Sequence, residues 1–406
     1  MNKKRSAFSG KIGYVLSAAG ASVGLGNIWR FPYLAAKYGG GIFLLVYIIL
    51  ALTFGYTMIV AESALGRMTR KSPVGAFRSF AKGKKVGWLS FGGWINAIIP
   101  VLIVPYYSVI GGWVVKYLFE YIRGNGSKLA EDGYFSGFIS SGGATEICFV
   151  IFCMFTLVII YAGVQNGIER VSKIMMPILI VLSVIIAIYS VTRPGAIEGV
   201  KYFLVPNVKN FSWMTVVAAM GQMFYSLSIA MGILVTFGSY MRKDTSIEDS
   251  TRNVEIFDTA IAMMAGLMII PAVFAFSGGD PDTLQAGPSL MFITIPKVFA
   301  NMGFGTEVGI LFFVLVLFAA VTSSIALTES AVSTFEDELG WGRKKATVLT
   351  GVIMITLGTL SCLGYGPLDF VKIIGMQFLD FFDFLTNSVM MPIAALMTSL
   401  LVSRVI

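Results

Sequence analysis

The sequence predicts an all-α polytopic membrane protein with ten spans, and its composition, its apolar runs and two interrupted runs support this fold class. The chain has 406 residues, of which 56% are hydrophobic and 13% charged, whereas a soluble domain usually carries about 25% charged residues. A spanning helix needs about 20 apolar residues. Runs of that kind, numbered here as spans 1 to 10, are centred near residues 18, 52, 104, 154, 182, 225, 267, 316, 354 and 394.

The N-terminal stretch "MNKKRSAFSGKIGYVLSAAG" carries basic residues followed by an apolar run. That run continues into a polar interruption instead of a small-residue cleavage site, so residues 1–10 are predicted to be a cytoplasmic segment and not part of a signal peptide. Lys and Arg are concentrated before span 1 and in the loops between spans 2 and 3, 6 and 7, and 8 and 9. Both termini are therefore predicted to be cytoplasmic. The net charge of +8 follows from this bias and indicates no nucleic-acid partner.

Catalytic residue types are poorly represented. The chain has no histidine, which excludes haem, His-zinc and Ser-His chemistry, and its three cysteines lie in apolar runs as buried hydrophobes would. The tetrapeptide "SGGD", ending at Asp280, superficially resembles a G-x-G-D protease motif, but the residue order is wrong and the position falls in a predicted outer loop. We predict that the protein is not an enzyme.

Span 1 is interrupted by "GASVGLGNIWRFPY", residues 20–33. Broken backbone at membrane depth is tolerated only where protein or a wet cavity satisfies it. Gly20 and Gly24 form a G-x-x-x-G pattern, whose ordinary meaning is close helix packing. Asn27 and Arg30 favour a functional interpretation, because polar residues inside a membrane usually face a pathway or a partner. Unwinding frees carbonyl groups that can bind a cation, and it leaves a half-helix N-terminus that attracts a carboxylate.

Span 6 is interrupted in the same way, since "MGQMFYSLSIAMGILVTFGSYM" places Gln222, Ser226, Ser228 and Gly232 in mid-span. Interrupted spans at matching places in two halves indicate a transporter built from inverted repeats. We predict one transporter domain over residues 1–406, with a first five-helix repeat at 11–192 and a second at 210–406. Because five is odd, the second repeat would insert with inverted topology.

Further polar residues lie in the later spans. Three consecutive hydroxyls in span 8, at Thr322, Ser323 and Ser324, either bond back to carbonyls of the preceding turn or bind a hard cation such as Na⁺. Asp258 either begins span 7 at the cytoplasmic interface or lies inside it. Asp383 starts span 10 on the outer side, where it is either an interfacial charge or a partner for Arg30.

The motifs "GLGNIWRFPY", "YGGG", "GQMFYSLS", "VTSSIAL" and "EDEL" resemble the neurotransmitter:sodium symporter family, with its leucine-transporter fold of 5+5 inverted repeats. The resemblance runs from Arg5 to the end of span 10 and is to a bacterial sodium-dependent amino-acid transporter. It implies Na⁺-coupled symport of an amino acid by alternating access in the bacterial inner membrane, with membrane lipid around the helices. Family members usually have eleven or twelve spans, whereas this sequence holds the complete ten-span core.

The resemblance also implies two sodium sites. The first, Na1, would use the Ser22 carbonyl, the Asn27 side-chain oxygen, Ser226, Asp258 and the carboxylate of the substrate. The second, Na2, would use the carbonyls of Gly20, Val23 and Ala319 and the hydroxyls of Thr322 and Ser323. In chloride-dependent relatives a halide lies near the positions that match Tyr47, Gln222, Ser226 and Ala262. Since Asp258 places a fixed negative charge there, no chloride requirement is expected.

A substrate site follows from the same resemblance. The carboxylate would meet the N–H groups near Leu25 and Gly26 and the Tyr107 hydroxyl. The remaining pocket residues would be Ser22, Gly24, Ile103, Tyr225, Ser226, Ser228, Met231, Ser323 and Leu327. Gly24 stands where monoamine carriers have Asp, so an amine without a carboxylate is not expected. A hydrophobic L-amino acid is expected, with an aromatic side chain favoured and an aliphatic one as the alternative.

Two gates are implied as well. Outside, Arg30 would pair with Asp383, with Tyr107 and Tyr225 closing over the substrate. Inside, Arg5 would pair with Asp337, supported by Ser239 and Tyr240. The sequence leaves one functional alternative open, namely an amino-acid sensor that uses the same scaffold without net transport.

Overall fold

The computed structural model describes residues 6–81, 87–278 and 288–405, and this part of the chain is helical without a β-strand. Eight of its continuous helices are long and apolar enough to cross a membrane. They are spans 2 to 5, Gly41–Thr69, Gly87–Ile122, Gly143–Tyr161 and Val164–Val191, and spans 7 to 10, Ile247–Ser277, Gly305–Glu338, Arg343–Leu363 and Phe378–Arg404. Arg5 and Asp280 lie outside the described residues.

Spans 1 and 6 are each divided into two helical pieces. Span 1 consists of Lys11–Ser22 and of a π-helical turn, Gly26–Arg30, that continues into Phe31–Lys37. Span 6 consists of Trp213–Ser226 and Ile233–Tyr240. Each piece alone is too short to cross the hydrocarbon core. Together with the eight continuous helices they confirm the prediction of ten spans in which the first and the sixth are broken.

Short helices connect the spans at both ends. They are Pro73–Ala81 between spans 2 and 3, Gly126–Leu129 and Tyr134–Ser140 between spans 3 and 4, Ala196–Leu204 and Val208–Asn210 between spans 5 and 6, and Leu290–Thr294 with Ile295–Ala300 before span 8. Tyr117 of span 3 donates a hydrogen bond of 2.8 Å to the carbonyl of Phe292. This bond attaches the segment before span 8 to the C-terminal part of span 3.

Spans 3 and 8 form the centre of the molecule. In their most apolar stretches 78% and 72% of the residues are buried, against 39% in spans 4 and 10. An inward position for span 8 explains how its hydroxyl-bearing residues are kept from lipid, where unsatisfied polar groups are costly. These two helices therefore provide buried walls against which the broken spans lie.

Spans 2 and 6 are in backbone contact in their second halves. A Cβ atom on Gly66 would lie 1.9 Å from the Val235 carbonyl oxygen, and one on Gly238 would lie 2.4 Å from the Ser63 carbonyl oxygen. Small residues are what allow membrane helices to approach so closely. The second half of span 6 is thereby joined directly to span 2.

Candidate substrate and sodium sites

The break in span 1 exposes backbone groups that its own side chains partly satisfy. The first helical piece ends before Val23, whose backbone is extended. The Gly24 N–H donates to Asn27 Oδ1 at 3.1 Å, and the Leu25 N–H donates to the Tyr107 hydroxyl of span 3 at 3.3 Å. The Leu25 N–H, at the start of the second helical piece, therefore points towards Tyr107, where a carboxylate would be stabilised.

The break in span 6 is held by a buried acid. Ser228 and Ala230 both have positive φ, at 54° and 61°, as does Gly232 at 68°. The Ala230 N–H donates at 2.8 Å to Oε1 of Glu62, a fully buried residue of span 2. Sequence reasoning missed Glu62, although an ionisable residue inside an apolar run was the signal that could have found it.

A cavity lies between the two breaks and the central helices. Its lining includes all twelve residues that were predicted to contact the substrate, together with Ala21, Asn27 and Ile233. Two glycines keep this space open, because a Cβ on Gly24 would lie 2.5 Å from Ser323 Oγ and one on Gly26 would lie 2.5 Å from the Tyr225 ring. Ala21 and Ile233 were missed because neither carries a polar signal.

Asp258 lies deep inside the protein beside this cavity, which removes the alternative that it sits at the cytoplasmic interface. Its carboxylate is fully buried and accepts hydrogen bonds from Asn27 Nδ2 at 2.8 Å and Ser226 Oγ at 2.9 Å. The Tyr47 hydroxyl donates to its other oxygen at 2.9 Å. The proposed Na1 residues Asn27, Ser226 and Asp258 thus form one cluster, and Ser22 lines the adjoining cavity. The Asn27 oxygen, which was predicted as an Na1 ligand, instead accepts the Gly24 N–H, and the Asn27 nitrogen faces Asp258.

The five residues of the proposed Na2 site also lie together. Ser323 Oγ donates to carbonyl oxygens of span 1, at 3.4 Å from Gly20 and 3.4 Å from Val23. The Thr322 hydroxyl donates back to the carbonyl oxygens of Phe318 at 2.9 Å and Ala319 at 3.2 Å, which is the first alternative given for these hydroxyls. A Cβ on Gly20 would lie 3.2 Å from Thr322 Cβ, so span 1 contacts span 8 here. Across the described part of the chain, no group of three or more Cys, Asp or Glu residues is placed to hold a metal ion. Hydroxyl and carbonyl oxygens are what this cluster offers, and they suit a hard cation.

The predicted outer gate residues lie near the cavity mouth without a direct bond. The Arg30 guanidinium lies 5.0 Å from the centre of the Tyr225 ring. Asp383 accepts hydrogen bonds from Tyr106 at 3.2 Å and Asn387 at 2.6 Å. Arg30 and Asp383, both described residues, form no ion pair within 4.0 Å. Their closure over a substrate stays a prediction.

On the opposite side, the predicted gate residue Tyr240 contacts an ion pair between Glu329 and Arg343 that was not predicted. Fully buried Glu329 of span 8 forms a two-pronged ion pair with Arg343, at 2.6 and 3.0 Å. The Tyr240 hydroxyl donates to the same carboxylate at 2.7 Å. Asp337 accepts the Ser72 N–H at 2.6 Å, and the Ser239 hydroxyl donates to the Thr236 carbonyl at 2.6 Å. The predicted partner of Asp337, Arg5, is outside the described residues.

Comparison with known proteins agrees with this architecture. The sodium:neurotransmitter symporter family matches the sequence over residues 5–127 and 134–406. A Bacillus subtilis protein, the uncharacterized sodium-dependent transporter YhdH, is 36% identical over 398 residues, which are 97% of this chain and 87% of the relative. The human sodium- and chloride-dependent GABA transporter 2 is 27% identical over 419 residues, covering 87% of this chain and 68% of that protein.

Among solved structures, the crystal structure of MhsT in complex with L-phenylalanine superimposes with a TM-score of 0.88. It is 38% identical in sequence, and the match covers 99% of this chain and 90% of MhsT. The broken spans and the cavity between them define a multi-pass membrane transporter of the leucine-transporter fold. The chain belongs to the sodium:neurotransmitter symporter family, and it is a sodium-dependent transporter of a small molecule.

Proposed function

We propose that the protein carries a hydrophobic L-amino acid, preferably an aromatic one, together with Na⁺ into a bacterial cell and without a chloride requirement. The observation that carries the proposal is the cavity between the breaks of spans 1 and 6, flanked by two clusters of oxygen atoms. The membrane would be the bacterial inner membrane, with the N-terminus in the cytoplasm.

The backbone of the cavity supports a substrate with a free carboxylate. The N–H groups at Leu25 and Gly26 begin the outer half of span 1, and such half-helix ends attract anions. The lining contains no Asp or Glu, so it offers no charged partner to an amine that lacks a carboxylate. An α-amino acid satisfies both conditions, because its own carboxylate meets the N–H groups.

The side chains of the lining support a large apolar substituent. Tyr107 and Tyr225 supply aromatic walls, and Met231 is unbranched and adapts its shape. MhsT, with bound L-phenylalanine, shares the fold at 38% identity, which favours an aromatic substrate here. Ile103 and Leu327 are bulky, and one methylene changes discrimination by only about 1–3 kcal/mol. Leucine and methionine are therefore the competing candidates.

Asp258 supports chloride independence. The Tyr47 and Ser226 side chains, which match halide-binding positions in chloride-dependent relatives, instead donate to the Asp258 carboxylate. A fixed anion beside a bound Na⁺ supplies the negative charge that a halide would bring. The same cluster and the oxygen atoms around Ser323 support two Na⁺ sites.

Uptake into proteoliposomes tests the proposal. Radiolabelled phenylalanine should accumulate under an inward Na⁺ gradient, with or without chloride, and unlabelled Tyr, Trp or Phe should compete better than Leu and far better than Gly or Ala. Replacing Met231 by Phe should shift the preference towards aliphatic substrates, since the larger ring reduces the pocket. Uptake that persists when K⁺ replaces all Na⁺ would show the coupling to be wrong, and binding without accumulation would identify a sensor.

A further inference from the structure

We propose that Glu169, at the beginning of span 5, is a positioning residue that holds span 1 closed at its N-terminal end. Span 1 leads from that end to the substrate cavity, so movement of its first helix, Lys11–Ser22, would open a path from the cavity to this side of the membrane. The inference depends on transport by alternating access and not on the identity of the substrate.

The first helix of span 1 lacks a cap of its own. Its N-cap residue is Gly10, which has no side chain to accept a hydrogen bond, and its first turn contains no acidic residue. A helix N-terminus carries a partial positive charge and unsatisfied N–H groups, which a carboxylate stabilises. This helix must therefore obtain its anion from another part of the protein.

Glu169 supplies that carboxylate from span 5. Its Oε2 accepts the backbone N–H of Ser9 at 2.9 Å, and its Oε1 accepts the Ser9 hydroxyl. Lys173, one turn further along span 5, lies 2.6 Å from the same Oε1 and balances the charge. The Glu169 side chain is only 3% exposed. A buried carboxylate with hydrogen bonds from two groups of Ser9 joins the two spans strongly.

Neighbouring contacts hold the same segment. The Gln165 side chain donates to the Ala7 carbonyl at 2.6 Å, and Arg242 donates to the Ser9 carbonyl at 3.1 Å. Phe8 is buried, with its ring 6.1 Å from that of Tyr240. Residues 7–9 are thus held between the start of span 5 and the end of span 6.

Gly13 provides an independent indication that the close contact between Glu169 and the start of span 1 is specific. A Cβ atom at Gly13 would lie 2.3 Å from Oε1 of Glu169 and 2.4 Å from its carboxyl carbon. The absence of a side chain there allows the carboxylate to reach the start of the helix. Replacing Gly13 by Ala should displace Glu169 without removing any hydrogen-bonding group.

The experiment measures whether span 1 opens. A reporter cysteine is introduced as Ser17→Cys, at a buried position of the first helix, after the three native cysteines are replaced by alanine. Reaction with a water-soluble thiol reagent is followed in detergent without amino acid, in Na⁺ and in K⁺. Losing a hydrogen bond to a charged group is enough to shift a two-state equilibrium about tenfold. We therefore expect Glu169→Gln to raise the reaction rate of the reporter cysteine in Na⁺ by about tenfold. Ser9→Ala and Gly13→Ala should raise this rate as well.

The matched control is Glu198→Gln, which removes an exposed carboxylate paired with Lys201 at 2.9 Å and should leave the rate unchanged. A folded Glu169→Gln protein whose reporter reacts at the parent rate would overturn the proposal. If that variant does not fold, unchanged rates in Ser9→Ala and Gly13→Ala would overturn it equally. A variant can unfold at a lower temperature while its reporter reacts in Na⁺ and in K⁺ with the same ratio of rates as in the parent protein. That result would show that Glu169 only stabilises the fold, and it would overturn the proposal. None of these results bears on substrate choice, because no amino acid is present.

Discussion

At the scale of single residues, Asp258 combines two roles that are usually separate. It is fully buried, and it contacts both Asn27 and Ser226 of the proposed Na1 site and Tyr47 from the proposed halide position. A buried carboxylate is retained where a cation or strong donors offset the loss of hydration. We therefore interpret it as a built-in substitute for a halide.

Replacing Asp258 by Asn tests this interpretation. The variant keeps the shape but removes the negative charge, so uptake should fall by more than about tenfold at low Na⁺ because the cation loses a charged neighbour. Added chloride should restore part of the activity, whereas gluconate should not. Wild-type uptake should be the same in either anion. A wild-type protein that needs chloride would contradict the interpretation whatever the variant does.

Local signals in the sequence predicted the polar part of the cavity, and the family resemblance supplied apolar members such as Ile103 and Leu327. Glycines, an asparagine and consecutive hydroxyls stand out in runs that lipid would otherwise keep apolar. Asn27 shows that such signals predict a residue's position in the cavity but not the orientation of its side chain. Its amide nitrogen faces Asp258 and its oxygen accepts the Gly24 N–H, an orientation that depends on neighbours from three spans. Ile233 shows the same limit, since an isoleucine in an apolar span has no distinguishing pattern.

At the scale of helices, the ion pair between Glu329 and Arg343 joins span 8 to the start of span 9. Arg343 appears in the sequence as one of several basic residues between spans 8 and 9, and only the turn between the two spans brings it back to Glu329. Glu329 is fully buried, so Arg343 and Tyr240 take the place of water around its carboxylate.

Removing one member of this ion pair should destabilise the folded protein more than removing both charges. Arg343→Ala leaves a buried carboxylate unpaired, and such losses destabilise proteins by about 3–5 kcal/mol. Adding Glu329→Gln should recover most of that loss, because the amide oxygen still accepts from Tyr240. Thermal unfolding in detergent measures both variants, with the exposed Arg78 to Glu338 pair as the control. An Arg343→Ala protein as stable as the wild type would show that the pair contributes little.

At the scale of the whole molecule, bound Na⁺ should stabilise the fold, because the proposed sites join span 1 to spans 6, 7 and 8 only in the folded state. A ligand that binds only the folded state adds about 2.7 kcal/mol at a hundred times its Kd. The unfolding temperature should therefore be higher in Na⁺ than in K⁺ at equal ionic strength. Thr322→Ala with Ser323→Ala should reduce that difference, since both hydroxyls of the Na2 cluster are lost. Identical unfolding temperatures in the two salts would contradict this.

The ten-span architecture was predictable because a membrane restricts the possible folds to long apolar helices and makes interruptions conspicuous. The packing arrangement of the helices was harder to predict from the sequence. Nothing in the apolar runs of spans 3 and 8 distinguishes them as the most buried of the eight continuous helices. The contact between spans 2 and 6 through Gly66 and Gly238 could not be predicted either, because a single glycine in a span does not indicate which helix packs against it.

The contact between spans 2 and 6 also constrains how this chain can evolve. At Gly66 and at Gly238 the opposing atoms are backbone carbonyls, which no substitution in the partner helix can shorten or remove. A mutation at either position therefore has no compensating mutation across the interface. Neutral drift can alter the lipid-facing surfaces of both helices freely while these two glycines stay fixed, so lineages that descend from this protein should share them even when little else in the two spans remains alike.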